Sequence, residues 1–442
     1  MTPGARIQAA VELVGAITSG RQAADDVVGG YFRSHRFAGV KDRGAISEHI
    51  YAVLRHLAAI DWWIARVGGT PTPRLRVFAA LLLAEAWRAE AVIAACDGDR
   101  FRPSPPTRDE EAVIAALEGK TIEHPEMPSA VRANIPAWLE PRLRALFGDG
   151  LNAEMAALNG AAPLDLRVNR LKSSRADARA ALAAEGVEAT PTPFAPTGLR
   201  VRARIPLASL ASFKSGTVEV QDEGSQLAAL LARAEPGMRV VDFCAGAGGK
   251  TLALAAEMKN KGHLVACDTS EHRLTRSAQR LRRAGVSNVE RKALSTERDK
   301  WVKRHAGGFD RVFVDAPCSG TGTWRRNPDA KWRLTEQDLE ELTALQARIL
   351  ASAARLVKPG GRLVYATCSL LPEENDRQVG AFLSTHAEFT VVPVPAIWRE
   401  AFGTDCPEPQ DLLHLTPARH GTDGFFVAVL HRRAAAAEAE AA

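Results

Sequence analysis

The chain is predicted to be an α/β protein with a doubly wound, mostly parallel sheet, preceded by an all-helical region and a small α/β subdomain. Three observations predict this. From about residue 236, short apolar runs alternate regularly with helical patterns, which implies parallel strands joined by crossover helices. Residues 1 to about 145 carry apolar positions at helical spacing. Between them, strand-like alternation surrounds one helix and a proline-rich loop. The expected domains are 1–145, 146–235 and 236–432, with 433–442 a low-complexity, disordered tail.

In the first region, helices are expected over Arg6 to Ile17, Ala45 to Val67 and Phe78 to Ala95. The second buries Ile46, Ile50, Val53, Leu54 and Leu57 on one face, with Asp42 as its N-cap. Composition leaves two readings of this bundle open, a protein-binding surface and an RNA-binding one. In the second region, Leu164 to Asn169, Gly198 to Arg202 and Gly216 to Gln221 read as strands. Ser174 to Gly186 is a helix with Ser174 as cap and Gly186 as stop. Arg167, Arg170, Lys172 and Arg200 give this region a basic character.

In the third region, strands are expected over Met238 to Asp242, His263 to Cys267, Arg311 to Asp315 and Gly361 to Tyr365. Helices are expected from Lys250, over Glu271 to Ala284, and over Thr335 to Leu356. Open α/β sheets bind ligands outside the carboxyl ends of their strands. Two of these ends carry a cysteine in a polar loop, Cys318 in Ala316-Pro-Cys-Ser-Gly-Thr-Gly322 and Cys368 in Ala366-Thr-Cys-Ser369.

Composition bounds the function. The chain has 442 residues, long enough for two or three domains, and 25% of them are charged. Its net charge of +5 leans only weakly toward polyanions. Six scattered cysteines show no zinc-like spacing, so no metal is expected, and their scatter fits a reducing cytoplasm. No stretch of eighteen apolar residues is present, so no membrane partner is expected.

Asp242-Phe-Cys-Ala-Gly-Ala-Gly-Gly-Lys-Thr251 joins a strand to a helix. Its glycines allow a tight turn and close ligand approach. Asp268 ends the next strand, where an acid commonly holds a ribose hydroxyl. A dinucleotide site would want glycine where Thr251 stands, and a P-loop would want glycine where Cys244 stands. S-adenosyl-L-methionine, an adenosine with a sulfonium and no phosphates, fits best.

Two thiols beside a methyl donor suit cytosine. Carbon-5 of that base is a poor nucleophile until a thiolate adds at carbon-6, which is covalent catalysis. Cys368 and Cys318 are candidates for the attacking thiol and the group that assists elimination. Asp315 could hold the cytosine edge. An ordinary thiol is only ~3% ionised at neutral pH, so a cation should help, and Lys250 is the candidate. Trp324-Arg-Arg326 and Lys331-Trp-Arg333 mix aromatic and cationic groups as an RNA contact would. Arg273, Arg276, Arg280 and Arg283 form a helical stripe that reads first as a solvated face. A P-loop-like ATPase and a non-catalytic RNA-binding assembly factor are the alternative readings.

These motifs, with Glu373-Glu-Asn375, resemble those of the Sun-type RNA cytosine-5 methyltransferases, most closely the bacterial RsmB-type ribosomal RNA enzymes. Gln221 to Gln226 and Gly421 to Phe426 are similar to that family's entry and last strand. Lys41 to Ala45, Val53 to Arg55 and Asp61-Trp62 resemble a NusB-like RNA-binding domain. The resemblance implies a Rossmann-like class I methyltransferase acting on RNA as a monomer. It implies Cys368 as nucleophile and Cys318 as the residue aiding release. It implies a cofactor site of Cys244, Ala245, Gly246, Ala247, Gly248, Gly249, Lys250, Asp268 and Asp315. The chain departs at Ala247, where the family has proline, and near Ala293, where it lacks the acid expected to hold the adenine amine.

Overall fold

The computed structural model describes residues 1–203 and 205–434, so the tail from 435 onward lies outside the described residues. The described residues form two compact units, one of 1–161 with 323–335, the other of 162–322 with those from 336 onward.

The first unit is helical. Its main helices are Pro3–Ser19, Ala24–Ser34, Val40–Arg55, Leu57–Arg66, Pro73–Leu83, Arg108–Leu117, Glu140–Phe147 and Leu151–Asn159. Thr2 and Thr72 cap helices that carry proline in the first turn, and Thr107 with Glu110 makes a reciprocal capping box. The core gathers Ile7, Ile46, Ile50, Leu54, Ile60 and Phe78.

Three expectations change. The helix expected over 45–67 is two helices broken at His56. It starts at Val40 with Gly39 as N-cap, while Asp42 accepts from the Met1 amine and from Arg6 Nε at 2.8 Å. The helix expected over 78–95 stops at Leu83 and resumes at Ala89, with Ala86 left-handed at φ 56°. Alanine- and leucine-rich runs carry no breaker, so the pattern concealed that bend.

The third change concerns Trp324-Arg-Arg326 and Lys331-Trp-Arg333, of which Trp324, Arg325 and Lys331 are buried and the rest half-buried. Trp324 is 1% exposed and Lys331 0%. The Lys331 amine donates to Arg55 O (3.1 Å) and Asn159 Oδ1 (2.6 Å), and Trp332 Nε1 donates to Leu54 O (2.7 Å). Burial pushes the Lys331 ammonium well below the usual lysine range, with Arg55 adding to the effect. Trp324 and Lys331 therefore pack and are closed to a base, while Trp332 stays half-exposed.

The second unit holds two sheets. The smaller contains β1 (Leu164–Val168), β2 (Thr190–Pro191), β3 (Gly198–Val201) and β4 (Val218–Val220), antiparallel in the order β2-β3-β1-β4. Ser174 caps the helix Arg175–Ala184 as expected, and Gly186 follows it at φ 79°.

The larger sheet contains β5 (Arg239–Asp242), β6 (His263–Asp268), β7 (Val289–Ala293), β8 (Phe309–Asp315), β9 (Val357–Thr367), β10 (Phe389–Val391), β11 (Leu413–Leu415) and β12 (Phe425–Arg432). Its order is β10-β12-β9-β8-β5-β6-β7, with β11 also on β12. Strands β5 to β9 pair in parallel, and β12 runs antiparallel to β9. The middles of the central strands are apolar on both sides, for example Val240, Val241, Val312, Phe313, Leu363 and Val364, because helices cover both faces. The carboxyl ends of β9, β8, β5 and β6 thus lie side by side, in that order.

Among the described residues, no helix is long and apolar enough to cross a membrane. None of their His, Cys, Asp and Glu side chains form a group that could hold a metal ion.

Candidate active site

Each of these four strand ends delivers one element. β9 ends at Thr367, so Cys368 is the first residue beyond it. β8 ends at Asp315 and is followed by the Cys318 loop. Since β8 and β9 are adjacent, with Asp315 opposite Ala366, the two loops meet. Cys318 Sγ and Cys368 Sγ are 3.4 Å apart, both half-buried. Gly322 N donates to Cys368 O (2.9 Å), and Gly424 N donates to Gly322 O (2.8 Å). A Cβ on Gly322 would stand 2.3 Å from Gly424 O, so only glycine permits this approach.

The glycine turn follows β5. Gly248 has φ 81°, and the helix Gly249–Glu257 begins immediately after it. That helix places Lys250 Nζ 2.8 Å from Asp315 Oδ2. Burial alone would push the lysine down, but the Asp315 carboxylate, helped by Cys368 and Asp242, raises it. Lys250 is thus held as a cation beside the thiols. The Cys318 thiol is pushed up, first by its hydrogen bond with Cys368, then by burial and by the Cys368 and Glu374 charges. Burial also raises Cys244 well above the usual thiol range, with Asp315 and Asp242 adding to it. Cys244 therefore stays a neutral thiol.

Asp268 ends β6 with each oxygen accepting one backbone N–H, Oδ2 from Gly246 (2.8 Å) and Oδ1 from Ser270 (2.7 Å). Asp242 is wholly buried. Its Oδ2 accepts from Thr251 Oγ1 (2.6 Å), Oδ1 has no partner, and burial pushes its carboxyl up to about 7.

The whole-chain comparison decides the family. The chain is 32% identical over 408 residues to the "Ribosomal RNA small subunit methyltransferase B" of Yersinia enterocolitica, covering 89% of this chain and 91% of that one. The protein of the same name from Klebsiella pneumoniae is 32% identical over 418 residues, with the same coverage. The chain belongs to the RsmB/F family of ribosomal RNA methyltransferases. The family pattern described as "16S rRNA methyltransferase RsmB/F" matches residues 228–431, and that of its ferredoxin-like domain matches 135–208. The crystal structure of PH0851 aligns over 98% of this chain and 99% of its own, with TM-score 0.80 and 29% identity. A methyltransferase homologue from Pyrococcus horikoshii aligns over 69% of this chain and 97% of its own, with TM-score 0.59 and 30% identity.

The cofactor of an RsmB/F methyltransferase is S-adenosylmethionine, and the residues present fit it. The glycine turn brings backbone close without a phosphate cradle. Asp268 keeps an acceptor lone pair on each oxygen for a ribose diol, since a carboxylate offers about four acceptor sites. At the position where an acid is expected, Ala293 ends β7 opposite Asp268, and Leu294 N donates to Asp268 O (3.0 Å). Of the next two acids downstream, Glu297 pairs with Arg348 at 3.0 Å, and Asp299 is consumed locally. Its carboxyl is held down at about 2 by the N–H groups of Ser295 and Trp301 and by the Ser295 hydroxyl.

The basic residues of the small sheet are engaged within the fold. Arg200 makes a bidentate pair with Asp165 at 2.7 and 2.8 Å. Arg170 meets Glu257 at 3.2 Å, and Lys172 donates to Ser215 O and Arg283 O. Arg167 is buried, its guanidinium 3.4 Å from Gly249 O. On the helix Glu271–Ala284, Arg280 and Arg283 pair with Glu219, while Arg273 and Arg276 are exposed.

Sequence reasoning assigned no role to Glu374, although it lies in the noted Glu373-Glu-Asn375 run. This fully buried carboxylate accepts from both cysteine loops and from the helix Glu336–Ala354. The only available signal was a second acid in the loop that follows Thr367, the last residue of β9.

Proposed function

We propose that the protein methylates carbon-5 of a cytidine in small-subunit (16S) ribosomal RNA, in the cytoplasm and as a monomer. The reaction runs through a covalent bond between Cys368 and carbon-6 of the base. The observation that carries this reading is the 3.4 Å approach of two thiols at neighbouring strand ends, next to a cation. The helical unit and the small sheet contribute RNA-binding surfaces.

Lys250 stabilises the Cys368 thiolate, the reactive form. Cys368 Sγ adds to carbon-6, which turns the ring into an enamine whose carbon-5 is nucleophilic. Asp315, with Oδ2 on Lys250, presents its other oxygen to the amino edge of the cytosine. S-adenosylmethionine, when bound, supplies the electrophilic methyl that carbon-5 takes. A base then removes the carbon-5 proton, the carbon-5 to carbon-6 double bond re-forms, and the carbon-6 to sulfur bond breaks to return Cys368 as thiolate.

Cys318 serves as that base. While Cys368 carries the charge, the hydrogen bond between them keeps Cys318 protonated. Once Cys368 is a thioether, the largest cause of that elevation is gone. Cys318 can then lose its proton to solvent and accept the one from carbon-5.

The test is methyl transfer from tritium-labelled cofactor to small-subunit ribosomal RNA. Cys368→Ala should lower transfer by about a thousandfold or more. Cys318→Ala should leave a protein–RNA adduct that shifts on a denaturing gel. Unchanged turnover in Cys368→Ala would remove the nucleophile and the reading with it.

A further inference from the structure

We propose that Glu374 is the positioning residue of the thiol pair: its carboxylate ties the Cys318 loop to the Cys368 loop and sets which sulfur holds the proton. This rests on the reaction proposed above. Glu374 is 0% exposed, and its two oxygens accept four hydrogen bonds. Oε1 takes Ser319 N (2.8 Å) and Gln346 Nε2 (2.9 Å). Oε2 takes the hydroxyls of Ser319 and Ser369. Ser319 follows Cys318 and Ser369 follows Cys368, so one carboxylate holds the residue next to each sulfur.

The surroundings extend the clamp. Gln346 Nε2 also donates to Pro317 O (2.9 Å), on the other side of Cys318. Thr321 Oγ1 accepts from Leu370 N (2.8 Å), a second bridge between the loops. Tyr365 donates to Glu374 O (2.7 Å), and Asn375 bonds both Thr367 Oγ1 (2.6 Å) and Ser369 O (2.9 Å), which fix Glu374 itself.

Energetics argue that stability alone does not account for this carboxylate. Burying a charge costs several kcal/mol of lost hydration, and apolar replacements of similar volume are often neutral or stabilising. What a carboxylate supplies here is reach to four donors at once and a negative charge on one side of the sulfur pair. Lys250 supplies the positive charge. Glu374 also raises the Cys318 thiol, while Cys368 is among the charges that stabilise Lys250. The pair therefore lies between opposite charges, with the proton favoured on Cys318.

The experiment compares full-length wild type with Glu374→Gln, which keeps the size and removes the charge, and with Glu374→Asp, which keeps the charge and shortens the reach. Cofactor affinity by calorimetry should stay within about threefold, reporting an intact glycine turn, while kcat falls about a hundredfold in both variants, the usual cost of an ångström-scale misplacement. The discriminating readout is iodoacetamide alkylation of each cysteine between about pH 6 and 10, followed by peptide mass spectrometry. In Glu374→Gln, Cys318 should become reactive at lower pH than in wild type. In Glu374→Asp its profile should stay near the wild-type curve although kcat is low. Wild-type kcat in Glu374→Gln, or a lost rate with an unmoved Cys318 profile, would overturn the proposal. The alkylation assay needs no RNA, so it still reads the clamp if Cys368→Ala were to retain transfer and the reaction itself were wrong.

Discussion

Two neighbouring stretches, Ala316–Gly322 and Trp324–Arg333, look equally rich in chemistry and end in opposite roles. The first holds a thiol, a hydroxyl and glycines just past a strand. The second mixes tryptophan, arginine and lysine. In the first, Cys318 stays half-exposed because the backbone around it is held by Glu374, Gln346 and Thr321. In the second, Trp324 and Lys331 are buried, and Lys331 bonds Arg55 O and Asn159 Oδ1 of the helical unit. Residue chemistry alone does not separate these outcomes. A strand end fixes which way a loop faces, and ligands gather there. A short helix carries no such constraint, and a lysine can be buried once neutral oxygens satisfy its amine.

The comparison breaks most visibly at Trp324. If its role is packing, Trp324→Ala should cost about 3–5 kcal/mol in urea unfolding of the full chain. Unchanged stability with weakened RNA binding would return the segment to the RNA-facing class. Lys331 gives a smaller, pH-dependent signal. Its folded-state pKa lies below the usual lysine value near 10.4, so between the two the unfolded chain binds more protons. Stability should rise with pH across that window, by at most ~1.4 kcal/mol per pH unit. Lys331→Met should flatten that slope in unfolding curves taken at about pH 7.5, 8.5 and 9.5. A slope identical to wild type would mean that the amine keeps its charge when folded.

Much of the larger sheet was legible in the sequence because strand and helix alternate with clear punctuation. The helix Glu271–Ala284 begins and ends at the expected residues, with Ser270 capping it and Gly285 left-handed after it. The breaks at His56 and after Leu83 were not legible, since nothing in those runs opposes helix and tertiary packing decides. For the site, the sequence placed Cys318, Cys368, Asp315 and Asp268 at strand ends and Lys250 at the start of the helix after the glycine turn, and parallel pairing brings those ends together. The partners of Arg167, Arg170, Lys172 and Arg200 were hidden, because a contact across 35 to 111 residues leaves no local pattern. Glu374 was hidden for the related reason that its role depends on two loops meeting.

The same contrast recurs on a small scale along the helix Glu271–Ala284. Arg280 donates to Ala247 O (2.8 Å), so it holds the glycine turn from behind, and Glu219 holds Arg280 in turn at 3.3 Å. Arg276 and Arg273, one and two turns earlier, face solvent. Arg280→Ala removes one charge-assisted hydrogen bond from the turn, so cofactor affinity should fall by roughly fivefold to tenfold in calorimetry, about 1–1.5 kcal/mol. Replacing Arg273 and Arg276 together by alanine should move stability by less than about 0.5 kcal/mol and leave cofactor affinity alone. A loss of cofactor binding from the exposed pair, or none from Arg280, would mean that the turn is held by its own glycines and Asp268, with no support from the arginine behind it.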